Sequence, residues 1–157
     1  MNSVLKFVQV FALGTWIGSI MYLSFIVAPG AFATLKDREQ AGAMVGYSLS
    51  RLHLVGMIVG LLYLVTAFVL VRAVKDLVTP AILGVVLMIL LTAFSQTKVT
   101  SRMHDLRVQM VSVDATPKDN PLRVEFDRLH DWSVRLEVAV LLIGIASLFF
   151  TVRNSTT

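Results

Sequence analysis

The chain contains no cysteine. That single absence removes disulfides, thiolate metal sites and iron–sulfur clusters. Charge is also scarce. Asp, Glu, Lys and Arg make up 15% of 157 residues, against roughly 25% in soluble domains. Strand-period alternation is missing, and a membrane barrel would need many more segments than this chain holds. No Gly-rich phosphate loop, zinc-protease helix or Ser-His-Asp order is present. The seven methionines are spread out and form no Met-x-x-Met cluster of the kind a copper(I) relay would use, so they read as core filler. The N-terminus lacks a basic n-region and a convincing cleavage site, so the first apolar run is expected to be a permanent span.

What is abundant is apolar residue: 56% of the chain, with a mean hydropathy of +0.77. One membrane domain covering residues 1–157 is expected, an all-α integral four-helix bundle whose helices extend beyond the bilayer on one side. Its spans fall at about 4–28, 52–71, 80–97 and 132–152, each near the ~20 residues a bilayer requires. Pro29-Gly30 breaks or bends the first span. Asp37 is a candidate N-cap with Gln40 as capping-box partner. Arg72, Lys75 and Asp76 form a short polar turn. Thr79-Pro80 opens the third helix and Asn120-Pro121 the fourth, with Pro in the tolerated first position. The residues from Asp114 to Pro121 read as a loop, and the Asn-Ser-Thr-Thr end as a polar tail.

Glycines recur at helical spacing. Gly14 and Gly18 form one Gly-x-x-x-Gly pair. Gly42, Gly46, Gly56 and Gly60 share a face with Leu49 and His53, and all six glycines read as helix-packing positions. The pI of 9.8 does not argue for nucleic acid, because the basic residues are scattered at helix ends and loops; the expected partner is the lipid bilayer, with a homo-oligomer left open. Ten of the 14 Lys and Arg lie on the side of the first and third loops. The positive-inside rule then puts those loops in the cytoplasm and both termini outside. Nine of the ten acids share that side.

Chemistry concentrates where the fourth helix enters the membrane. His130 and Glu137 fall on one face of that helix, and His53 stands at the matching boundary of the second. If the faces meet, His53, His130 and Glu137 could bind a divalent metal, provide two axial ligands to haem b, or relay protons. The bland reading is that each His is an interfacial residue bonded to a neighbour. His104 reads as solvated. Arg128, Trp132 and Arg135 occupy the opposite face. Asp131 lies between the arginines, so either an ion-pair ladder or interfacial anchoring is expected. Arg102 and Asp105 are candidate partners for Arg135. Arg51-Leu-His53 and Arg128-Leu-His130 look alike, by duplication of a two-helix unit or by chance.

The stretches Ser95-Gln96, Arg102-Met103, Leu106-Arg107, Asn120-Pro121 and Phe126-Asp-Arg-Leu-His-Asp-Trp-Ser-Val-Arg-Leu-Glu137 resemble a bacterial membrane family of unknown function related to the transmembrane-protein-205-like group. Ala28-Pro29, Arg38-Glu-Gln-Ala-Gly42 and Arg51-Leu-His53 fit it too. The resemblance covers almost the whole chain and implies a four-helix membrane bundle in a bacterial inner membrane. It extends distantly to copper-resistance protein D and HemJ-type protoporphyrinogen oxidases, where histidines serve metal or haem. Fold-level analogy fixes no reaction. The leading expectation is a small membrane protein binding a transition metal or haem for metal tolerance or redox. The alternatives are an oligomeric transporter or permeation subunit, and a structural lipid-interacting bundle. Enzymatic activity stays open.

Overall fold

The computed structural model describes residues 2–70, 78–110 and 112–153. All secondary structure among them is helical. The polar turn expected at Arg72, Lys75 and Asp76 and the tail from Asn154 lie outside the described residues. Helix α1 (Asn2–Tyr22) runs through a π-helical segment, Leu23–Val27, into α2 (Ala28–Thr34). The second rod is α3 (Arg38–Leu70). The third is α4 (Pro80–Phe94), a π-helical segment Ser95–Thr100, and α5 (Ser101–Met110). The fourth is α6 (Pro121–Arg153).

The helix starts follow local chemistry. Asp37 accepts from the Glu39 N–H at 2.9 Å; the cap is the expected residue, and the adjoining Glu39 side chain is used elsewhere. Thr79 Oγ1 accepts from the Ile82 N–H at 3.3 Å, ahead of Pro80. Asn120 Oδ1 accepts from the Leu122 N–H at 2.9 Å, ahead of Pro121. Each oxygen satisfies one of the N–H groups that a helix start leaves without an internal partner. Pro29 sits within the first rod, which stays helical from Asn2 to Thr34. It lacks the N–H that would continue the α ladder, and the turn ahead of it widens, with the Ala28 N–H reaching back five residues to the Leu23 carbonyl.

The four rods form a ring. α1 packs on α3 and α6, and α4 packs on the same two helices, so α3 and α6 face one another diagonally across the core. Trp16, Leu13, Ile20, Val85, Met88 and Val140 fill the centre, all almost wholly inaccessible. Gly56 and Gly60 let the Trp16 indole lie against α3: a Cβ on Gly56 would come within 2.5 Å of Trp16 Cε2. Gly84 admits Ser147 and Gly144 admits Met88 and Ile17 in the same way. Gly42 meets the Arg107 guanidinium. Among the described residues a Cβ on Gly14, Gly18 or Gly46 would meet nothing within 4 Å, so no described helix closes on those three as their spacing suggested.

All four rods are long and apolar enough to cross a membrane. Their most apolar windows are only 33%, 39%, 28% and 22% buried inside the chain. Phe7, Phe25, Phe68, Leu90 and Phe149 point outward. An apolar outer surface on that scale is what lipid, not water, solvates. The chain is thus a multi-pass integral membrane protein. Rods of 31–33 residues span about 50 Å, beyond the ~30 Å of hydrocarbon. The excess gathers at one end. There a second small core of Leu106, Val113 and Phe126 is ringed by ion pairs.

Candidate functional site

Inside the bundle, α3, α6 and the π segment of the third rod bring three polar side chains together. His53 is completely inaccessible. Its Nε2 lies 2.5 Å from Glu137 Oε1 and its Nδ1 lies 2.8 Å from Gln96 Oε1. The contact crosses the bundle diagonal, and Glu137 remains 15% exposed. Three sequence features build it. The face that carries His53 continues into Gly56 and Gly60. On α6 the inward seam is Phe126, Ser133, Val140, Gly144, Ser147 and Thr151, with Glu137 at its edge. On the third rod Gln96 follows the inward row Val85, Met88 and Thr92.

Gln96 is held by its own backbone. In the wide turn its carbonyl accepts both the Ser101 N–H and, at 2.9 Å, the Ser101 hydroxyl. Such π turns interrupt the regular ladder and recur at functional sites. With the Gln96 amide oxygen facing the ring, His53 donates from Nδ1. Nε2 then faces the Glu137 carboxyl. One proton between them, written as imidazole–carboxylic acid or as imidazolium–carboxylate, would leave the pair without net charge, which suits a membrane interior.

Beside this cluster the core is mostly apolar, with Thr92, Ser95 and Ser147 buried in it. Trp16, Met88 and Val140 lie between the cluster and a second diagonal tie, Tyr63 Oη to Thr151 Oγ1 at 2.8 Å. The buried Trp16 Nε1 and Ser95 Oγ lack hydrogen-bond partners.

The remaining candidate residues are distributed differently. His130 is exposed and sits seven residues, about 10 Å, before Glu137 along α6. It does not join His53, and no group of three or more His, Asp or Glu able to hold a metal occurs among the described residues. The two Arg-Leu-His triplets are therefore not equivalent: one histidine is the centre of the bundle, the other its rim. His104 is exposed, as its position suggested.

No ion pair joins Asp131 to Arg128 or Arg135 among the described residues, so the ladder does not form. Arg135 lies over the half-exposed Trp132 ring instead, 5.7 Å from its centroid. Arg102 is not its partner. Arg102 grips Glu125 bidentately at 2.8 and 3.0 Å. Asp105 is exposed.

Sequence reasoning missed Gln96, Glu39 and Arg107. Gln96 was legible as a polar residue continuing an apolar helical row. Glu39 and Arg107 join the second and third rods, and Glu39 Oε2 also accepts the Val113 N–H at 2.9 Å. No spacing within either helix reveals that bond.

The fold and site define a helical, multi-pass membrane protein with a buried histidine–carboxylate pair. A family model, Domain of unknown function (DUF4149), matches residues 11–112, and the chain belongs to that family. The match takes in His53 and Gln96 and stops before Glu137. No curated protein and no solved structure matches the chain.

Proposed function

We propose that this protein is a proton-binding membrane bundle, in which His53 and Glu137 take up and release a proton as one unit with Gln96 setting the tautomer. The observation that carries the reading is the 2.5 Å contact between Glu137 and a histidine with no solvent exposure. A second proton would leave imidazolium beside a neutral carboxyl; losing the shared one would leave a bare carboxylate. Either change puts a full charge into the bundle, so proton exchange is coupled to whatever compensates it, such as a bound ion or a helix displacement.

A metal centre is the second reading, favoured by one observation. A histidine oriented through one ring nitrogen and facing a carboxylate with the other is how metal ligands are commonly supported. At 2.5 Å, however, the nitrogen and oxygen leave no room for an ion between them, and Glu137 must swing away to admit one. The bis-histidine haem arrangement with His130 has no such support. The resemblance to the transmembrane-protein-205-like group, and distantly to copper-resistance protein D and HemJ-type oxidases, belongs with this second reading. A permeation role through an oligomer would use the same pair as its proton-coupled element. We place the ion-pair end in the cytoplasm, on the Lys and Arg excess there, and assign Arg128, Trp132 and Arg135 to anchoring at the headgroup level.

The test is a pH titration of the histidine ring nitrogens by NMR in micelles, for wild type, Glu137→Gln and His130→Ala, together with an absorption spectrum and metal analysis. The His53 transition should move in Glu137→Gln and stay put in His130→Ala. An unmoved His53 transition in Glu137→Gln refutes the proton pair. A Soret band, or one equivalent of metal lost in that variant, transfers the site to the second reading.

A further inference from the structure

Gly14 and Gly18 pose a separate problem, since their faces are open although their spacing is that of a packed helix pair. They floor a groove of about 550 Å³ between α1 and α3, whose walls include Tyr22, Leu23, Tyr47 and Arg51. The volume falls in the range of small-molecule sites. Leu23 opens the π segment Leu23–Val27, so one wall is locally widened helix. Arg51 is exposed and lies over the Tyr47 ring, 5.0 Å from its centroid. No carboxylate is within ion-pair distance of it among the described residues, whereas Arg38, Arg102, Arg107 and Arg123 each have one.

We propose that this groove is a binding site for one anionic phospholipid, with the phosphate on Arg51 and an acyl chain lying over Gly14 and Gly18. Charge complementarity selects the occupant. An unpaired guanidinium two residues from the buried His53 stands where the polar end meets the apolar span, at headgroup depth. Guanidinium matches phosphate with paired N–H donors. Tyr47 holds the guanidinium from its ring face, and Tyr22 presents a phenol at the same mouth, as aromatic residues do at membrane interfaces. Below them, missing side chains at positions 14 and 18 leave a smooth apolar channel that lipid must fill, since water is absent at that depth.

Native mass spectrometry of the purified protein in micelles, supplied with phosphatidylglycerol or phosphatidylcholine, tests the assignment. Wild type should retain one phosphatidylglycerol in preference to phosphatidylcholine, roughly fivefold, the factor one basic side chain is worth at an anionic surface. Arg51→Gln should lose the preference and Arg51→Lys keep part of it. Gly18→Leu should fill the channel and retain neither lipid while melting like wild type, because a Cβ there meets nothing within 4 Å. Glu137→Gln should retain lipid normally. Equal retention of both lipids by wild type, unchanged selectivity in Arg51→Gln, or displacement by inorganic phosphate alone would overturn the proposal. So would a lipid-free wild-type dimer that Gly18→Leu dissociates, which would give the groove to a second copy of the chain.

Discussion

Replacing Gly56 by alanine tests the packing beneath the histidine site, and Gly46→Ala supplies its control. Both glycines lie inside α3, so both substitutions gain the same helix propensity, up to ~1 kcal/mol. That gain cancels in the comparison. At Gly46 the new methyl meets nothing within 4 Å; at Gly56 it falls 2.5 Å from Trp16 Cε2 and 2.9 Å from Cζ2. Real Cβ contacts of that length do not occur, so the indole or the helix must move. Trp16 is 1% exposed and enclosed by α3 and the rest of the core, and it has nowhere to swing. Overpacking of this kind costs ~1–3 kcal/mol. Reversible SDS unfolding in mixed micelles, followed by tryptophan fluorescence, should therefore place Gly56→Ala about that far below Gly46→Ala. Trp16→Phe removes the crowding atoms, so a double-mutant cycle should show favourable coupling of ~1 kcal/mol or more between Trp16→Phe and Gly56→Ala. If the two glycine variants unfold within ~0.5 kcal/mol of each other, Trp16 is not wedged against α3 and the plug beneath His53 is wrong.

Three further outcomes concern the ion-pair end and the last helix. Glu39→Ala should cost ~2 kcal/mol in the same unfolding assay, because it strips the carboxylate from Arg107 and leaves the Val113 N–H unpaired. Asp114→Asn should change stability by less than ~0.5 kcal/mol, since the Arg38–Asp114 side chains are 75% and 48% exposed. Asn120→Ala should cost ~1 kcal/mol by removing the cap on α6, with fraying at residues 122–124 visible in amide exchange.

The architecture was legible because membrane helices announce themselves by apolar length and by their start signals. Thr79-Pro80, Asn120-Pro121 and Asp37 each cap where the chain suggested. Glu137 was legible as well, since a carboxylate in an apolar run needs a partner. Its partner was harder. A 100° helical wheel puts His130, Val134 and Glu137 on one face, but α6 packs along Phe126, Ser133, Val140 and Ser147, every seventh residue. That seam leaves His130 outside. The glycine rows misled for a related reason: Gly-x-x-x-Gly spacing shows that something comes close without saying what. At Gly56 and Gly60 it is an indole, at Gly42 a guanidinium, and at Gly14 and Gly18 nothing among the described residues. The π turn that carries Gln96 has no sequence signal that we can name.

The level of the site along the bundle bears on how a proton reaches it. Gln96 lies 16 residues after Pro80, where the third rod begins. At 1.5 Å per residue this places the cluster about 24 Å from that end of the rod. Three helices thus deliver their polar residues to one layer, near the boundary of a ~30 Å hydrocarbon core. Toward the termini the bundle axis is sealed by Val85 and Met88, both wholly inaccessible, with Trp16 and Val140 almost so. Toward the other end lie Ser133, the Ser101 hydroxyl and the ion-paired extension, and Glu137 keeps its partial exposure. On the proposed reading, exchange with the ion-pair end is the route that this packing favours. Carriage across the membrane would require the Trp16 plug to move, which makes Trp16 and Gly56 the gate that a transport assay on Gly56→Ala would test.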